Sequence, residues 1–158
     1  PVNCAKLSEL QTTIMLFEMA KSFTFEKLNH WDQISPTLKA ILERGDAIDY
    51  AEYSDALMKA RLARASLESL LSNEFDVLIA PSATGEAPKT LEATGDPIFS
   101  RGWTLMGVPC INLTVTSGPN GLPVGVTLIA GLGKDRLLLS AAQALAHQLS
   151  DPIALNQA

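Results

Sequence analysis

Between Asp76 and Gly131 the chain reads DVLIAPSATGEAP, a polar stretch, and then WTLMGVPCINLTVTSGPNGLPVGVTLIAG. This order constrains the fold more than any other part of the sequence. Val77 to Ala80 is short and apolar throughout, which predicts a buried strand of the kind parallel sheets use. Ile111 to Thr116 alternates apolar and polar residues, as does Val124 to Ile129, with Val124, Val126 and Leu128 on one side. Alternation predicts strands with one buried face. Gly118-Pro119-Asn120-Gly121 lies between them. Pro suits the first central position of a type I turn and Gly121 the left-handed position after it, so a hairpin is expected.

Helices flank these strands. Ser8 to about Asn29 has Leu10, Ile14, Leu16 and Phe17 near helical spacing. Ser35-Pro36 starts a short helix, with Ser35 as cap and Pro36 at the first helical position. Gly45 is expected to stop it as a C-terminal cap. Asp49 to Ser72 carries one apolar stripe of Tyr53, Leu57, Ala60, Ala63, Leu67, Leu70 and Leu71, and is expected to pack on the sheet. Lys134 to Leu149 aligns Leu138, Ala141, Leu145 and Leu149, and Asp151-Pro152 is expected to begin a fraying tail. Helix, apolar strand and Pro in this order indicate an α/β architecture.

Composition bounds the function classes. Hydrophobic residues make up 47% and charged residues 18% of 158, as in a globular chain with its own core. The net charge of -5, without a basic cluster, argues against nucleic acid and fits a cytoplasmic surface. No apolar run approaches the roughly 20 residues a membrane helix needs. No signal peptide is visible. The chain begins Pro1-Val2-Asn3 without an initiator Met, as a processed, trimmed or excerpted product would. Cys4 and Cys110 imply no disulfide framework, and Cys110 is expected to be a small buried hydrophobe.

Little in the chain reads as catalytic machinery. No Ser is followed three residues later by Lys, and no G-x-S-x-G elbow occurs. His30 and His147 are the only histidines, and His147 falls near a helix C-terminus, where a cation is favourable. The Cys and His residues lack the paired spacing of zinc sites. Gly131-Leu132-Gly133-Lys134 resembles a phosphate turn, but Asp135 would repel a phosphate there, so a tight strand-to-helix turn is expected. Pro81 to Arg101 is different. Loops of roughly twenty residues in a compact domain are usually functional or disordered. This one leaves the C-terminal end of a strand, where α/β sheets place ligands. It carries Ser82, Thr84, Gly85, Glu86, Pro88 and Asp96 and leads to Trp103. A ligand-facing loop and a mobile surface loop both remain open on pattern alone.

Phe75 to Pro81, Trp103 to Pro109, Gly121 to Val126 and the following helix with Leu137 and Leu138 together resemble amidase signature enzymes. Upstream, Ser35-Pro36-Thr37-Leu38, Gly45, and Tyr50 or Tyr53 fit the same order. The colinear match runs from roughly residue 14 to 149. The resemblance implies an α/β, partial amidase-signature fold: a mixed β-sheet with flanking helices. It would form a single unit over 1–158, the C-terminal portion of an amidase domain, mainly helical over 1–73 and with strands plus a C-terminal helix over 74–150. It implies a serine-dependent amidase cleaving C–N bonds of a small-molecule substrate, without metal or organic cofactor. Such enzymes use a Ser nucleophile, a bridging Ser with a cis peptide bond and a Lys base in a Gly- and Ser-rich N-terminal half. This sequence has no Gly-Gly-Ser-Ser stretch, so no catalytic residue carries over. Pro81, Ser82, Trp103 and Thr104 match the part that lines the substrate pocket, with Trp103 as ordinary core filler the alternative. The implied partners are the amide substrate, the missing N-terminal half and further copies of the chain, with neither nucleic acid nor membrane. A non-enzymatic binding or structural module, and a Cys hydrolase using Cys110 and His147, are the competing readings.

Overall fold

The computed structural model describes residues 4–90 and 94–150. The fraying expected from Asp151 lies outside them. The described chain is α/β, and its contacts group it into two compact units, one through Arg64 and one from Ala65 onward.

The first unit is helical. Helices α1 (Cys4–Ser22) and α2 (Thr24–Asn29) divide the single helix expected from Ser8 to Asn29. The physical reason is local. Thr24 Oγ1 donates to the Lys21 carbonyl at 2.6 Å, and such back-bonding competes with the helical ladder. Helix α3 (Pro36–Asp46) starts as expected, with Ser35 Oγ accepting from the Leu38 N–H at 3.3 Å. Gly45 does not cap it. The glycine lies inside α3, buried against α1, where a Cβ would collide with the Leu16 carbonyl and Ala20. Its missing side chain permits a close helix crossing instead of a left-handed turn. Leu7, Ile14, Leu16, Ala20 and Leu42 form the buried interior of this unit. Helix α4 (Tyr50–Asn73) is capped by Asp49, whose Oδ1 accepts from the Glu52 N–H at 2.8 Å. Ala56, Ala60, Ala63 and Leu67 on its stripe are buried. The Tyr53 ring stacks on Phe17 at 4.1 Å, and its hydroxyl donates to Glu18 at 2.9 Å. That hydrogen bond, with some desolvation and the Glu18 charge, raises the Tyr53 pKa.

In the second unit, β1 (Leu78–Pro81), β2 (Cys110–Ser117) and β3 (Pro123–Ile129) form one sheet in the order β1-β3-β2, antiparallel throughout. The expectation of a buried parallel strand at Val77–Ala80 is therefore corrected. Among the described residues β1 is an edge strand, it alternates in burial, and Ile79 is 62% exposed. Four apolar residues carry no information about strand direction, and Pro81, without an N–H, suits an edge. The hairpin forms as expected. The Gly121 N–H donates to the Gly118 carbonyl at 2.9 Å, and Gly121 has φ 79°. A bulge at Thr114/Thr116 bends β2.

Helix α6 (Asp135–Ser150) packs against β2 and β3. Leu128, Ala130, Leu138 and Ala142 form the core, with Val77, Ile111, Leu113, Val126, Ala141 and Leu145 against it. The last turns of α4 meet the turn before α6, where Glu68 accepts from the Leu132 N–H at 3.1 Å. A carboxylate of this chain thus takes a donor of the Gly131–Lys134 turn, as a structural turn requires. Helix α5 (Ile98–Met106) ends at Gly107 in a left-handed cap, φ 65°.

Candidate functional site

β1 ends at Pro81, and Ser82 continues its line over the outer face of the sheet. The Ser82 N–H donates to the Gly125 carbonyl at 3.2 Å, which holds the residue against β3. From there its hydroxyl reaches two polar side chains, Asn112 Oδ1 at 2.5 Å and Thr127 Oγ1 at 2.9 Å. Asn112 and Thr127 are register partners on β2 and β3, so their side chains share a face. That face is opposite the one Leu128 and Val126 turn toward α6. The alternation that buries Ile111 and Leu113 therefore puts Asn112 and Thr114 outside.

An open cleft of about 490 Å³ lies over this face. Ser82, Glu86, Asp96, Ser100, Asn112 and Thr114 are among the polar residues that line it. Its far wall is the loop after β1. Glu86 ties that loop down, its carboxylate accepting from the Asn120 N–H at 3.0 Å and the Leu122 N–H at 3.2 Å. It also accepts from Asn120 Nδ2. A Cβ at Gly118 would collide with this carboxylate, so glycine is needed there for the carboxylate to sit over the turn.

The four residues expected in the pocket fall in different places. Ser82 lines the cleft. Pro81 pairs with Val126 at the end of β1. Trp103 and Thr104 lie on α5, which reaches the cleft through Ser100 and the preceding Pro97. Thr104 is exposed and Trp103 half-buried, its Nε1 enclosed without a hydrogen-bond partner. Asn112, Thr127 and Gly125 complete the polar cluster and were missed by sequence reasoning. Their signal was present: they are the polar and small residues on the outward positions of β2 and β3, a face that alternation alone assigns to solvent.

The chemistry open to this cleft is recognition. The Ser82 hydroxyl donates to a carboxamide oxygen, which cannot take its proton, so Ser82 lacks the base an activated nucleophile requires. Among the described residues no group of three or more His, Cys, Asp or Glu is placed to hold a metal ion. No helix among them is long and apolar enough to cross a membrane. Cys110 is not buried as expected. It starts β2 on the exposed side, its Sγ donating to the Val108 carbonyl at 3.6 Å. The reason is register: the inward positions of β2 begin at Ile111. Partial desolvation by the surrounding chain raises the thiol pKa, contrary to what a thiolate nucleophile needs.

No family model matches the chain. Among curated proteins it is 29% identical over 127 residues to a glutamyl-tRNA(Gln) amidotransferase subunit of Agathobacter rectalis, covering 73% of this chain and 25% of that protein. It is 37% identical over 101 residues to the corresponding subunit of Campylobacter fetus, covering 57% of this chain and 22% of that protein. The chain thus spans about a quarter of the length of the curated relatives it matches. Among solved structures, an amidase superposes with a TM-score of 0.79 at 22% identity, over 94% of this chain and 36% of that one. A bacterial aryl acylamidase described as an amidase signature enzyme gives 0.66 at 17%, over 96% and 35%. The structures establish the fold and the curated relatives agree with it: the chain has the fold of one part of an amidase signature enzyme.

Proposed function

We propose that this chain supplies the sheet, helices and one wall of the substrate pocket to a serine-dependent amidase that hydrolyses the C–N bond of a small-molecule amide. The observation that carries the reading is the polar cleft at the end of β1 in a chain of this fold. In this reading Ser82 and Pro81 border the bound amide, and Trp103 and Thr104 face it from α5. The nucleophilic Ser, bridging Ser and Lys base come from a further part of the enzyme, because this sequence has no Ser-x-x-Lys or Gly-Gly-Ser-Ser stretch. That part is the chain's partner, and copies of the chain associate with one another. The acidic charge balance fits a cytoplasmic enzyme.

The test is turnover of an aryl anilide. The purified chain is expected to release no aniline above buffer, whereas a longer polypeptide that contains it does. Turnover by the chain alone, lost on substituting one of its own Ser or Cys residues, would overturn the reading. A binding module without chemistry is the second reading, favoured by the commitment of the Ser82 hydroxyl to a carboxamide. It predicts amide binding without turnover in the longer polypeptide as well.

A further inference from the structure

We infer that Asn112 is the carbonyl-recognising donor of the cleft, and that Ser82 and Thr127 are the residues that position it; the inference rests on the reading of the cleft as an amide-binding site. The argument follows the protons. Asn112 Oδ1 can only accept, so Ser82 Oγ must donate its one hydrogen to it. Ser82 Oγ then has only lone pairs left, so at 2.9 Å Thr127 Oγ1 must donate to Ser82. The hydrogen bonds therefore run one way, from Thr127 to Ser82 to Asn112.

This direction sets the carboxamide. With Oδ1 turned to Ser82, the two Nδ2 hydrogens are directed away from the cluster, and no acceptor among the described residues meets them. Asn112 lines the cleft, so those donors are available to a ligand there. Gly125 is part of the device. A Cβ at that position would collide with Asn112 Oδ1, so the glycine opposite lets the carboxamide lie across β3. The ligand that fits has a strong, uncharged acceptor. The named lining holds Glu86 and Asp96 and no Lys or Arg, so a carboxylate ligand would be repelled. A carbonyl oxygen of an amide or ketone meets both conditions.

The experiment is NMR titration of the chain with benzamide and acetophenone, following the Asn112 Nδ2 resonances and the backbone amides of Ser82, Asn112 and Gly125, for the parent chain and for Ser82→Ala, Ser82→Thr and Thr127→Val, and the backbone amides alone for Asn112→Asp, which has no Nδ2. Both probes are expected to shift the Nδ2 resonances. Asn112→Asp keeps the acceptors and loses the donors, so it is expected to weaken both by roughly tenfold or more. Ser82→Ala is expected to leave the carboxamide mobile, seen as a lowered side-chain order parameter, and Ser82→Thr to restore it. Equal benzamide affinity in the parent and in Asn112→Asp, with both folded by circular dichroism, would overturn the inference while leaving the amide-binding reading standing. Acetophenone binding through Asn112 without benzamide binding would sink the amide reading and support the donor assignment. Binding of neither probe to the parent chain would overturn both.

Discussion

The Glu86 carboxylate accepts from the Asn120 backbone N–H at 3.0 and 3.1 Å, across 34 positions of sequence. One side chain thus joins the long loop after β1 to the tip of the β2–β3 hairpin. The loop that pattern alone left open between ligand-facing and mobile is anchored at this point, and the cleft has a wall because of it.

Removing this anchor should loosen both partners. Glu86→Ala is expected to destabilise the chain by about 2 kcal/mol, since hydrogen bonds to a charged acceptor contribute about 1.5–3 kcal/mol. Urea unfolding reads the stability. Faster hydrogen exchange at the Asn120 and Leu122 amides reads the cause. Unchanged exchange at both would show that the carboxylate does not hold the hairpin.

At Gly45 two effects oppose each other. Alanine improves helix propensity over glycine by about 1 kcal/mol. Its Cβ, however, would meet the backbone carbonyl of Leu16, which cannot rotate away. Overpacking costs about 1–3 kcal/mol, so the collision is expected to win and Gly45→Ala to lower the urea midpoint. A raised midpoint would mean that α1 and α3 separate without cost.

Ile129 is fully enclosed at the end of the central strand. Truncating it to Ala removes buried methylenes and leaves a cavity, with an expected loss of about 3 kcal/mol. The same change at Ile79, which is 62% exposed on the edge strand, should cost far less. Comparable losses at the two positions would contradict the strand order.

The Cys110 thiol is held above its ordinary value of 9.0 by desolvation. It should therefore react with iodoacetamide at neutral pH more slowly than free cysteine, despite its exposure. The linkage has a definite sign. Because the folded pKa is the higher one, the thiol's contribution to stability is present below its unfolded value and lost as pH rises through the folded value. Cys110→Ser should flatten the alkaline fall in stability. Rapid alkylation at neutral pH would revive the cysteine-hydrolase reading.

β1 and β2 are the edges of the described sheet, and Ile79 stands exposed on one of them. Unpaired edges are templates for association. The purified chain is expected to sediment as more than a monomer at high micromolar concentration and to bind a hydrophobic dye. A clean monomer that binds no dye would end this expectation.

Features decided by neighbouring residues were legible in the sequence. The Pro119-Asn120-Gly121 turn, the Ser35 cap and the inner stripe of α6 each depend on the few residues around them, whose dihedral and hydrogen-bonding preferences are written locally. The likeness to amidase signature enzymes was legible for a related reason: many such local signals stand in one colinear order. The direction of β1 and the part played by Gly45 depended on which distant surface each segment met. An apolar run of four residues, or one glycine, does not encode that. The cleft belongs to the same class. Ser82 finds Asn112 across 30 positions and Thr127 across 45, and Glu68 finds Leu132 across 64. Each of those side chains reads in isolation as an ordinary surface polar residue, and only the pairing of β1 and β2 with β3 brings the hydroxyls and the carboxamide within hydrogen-bonding distance.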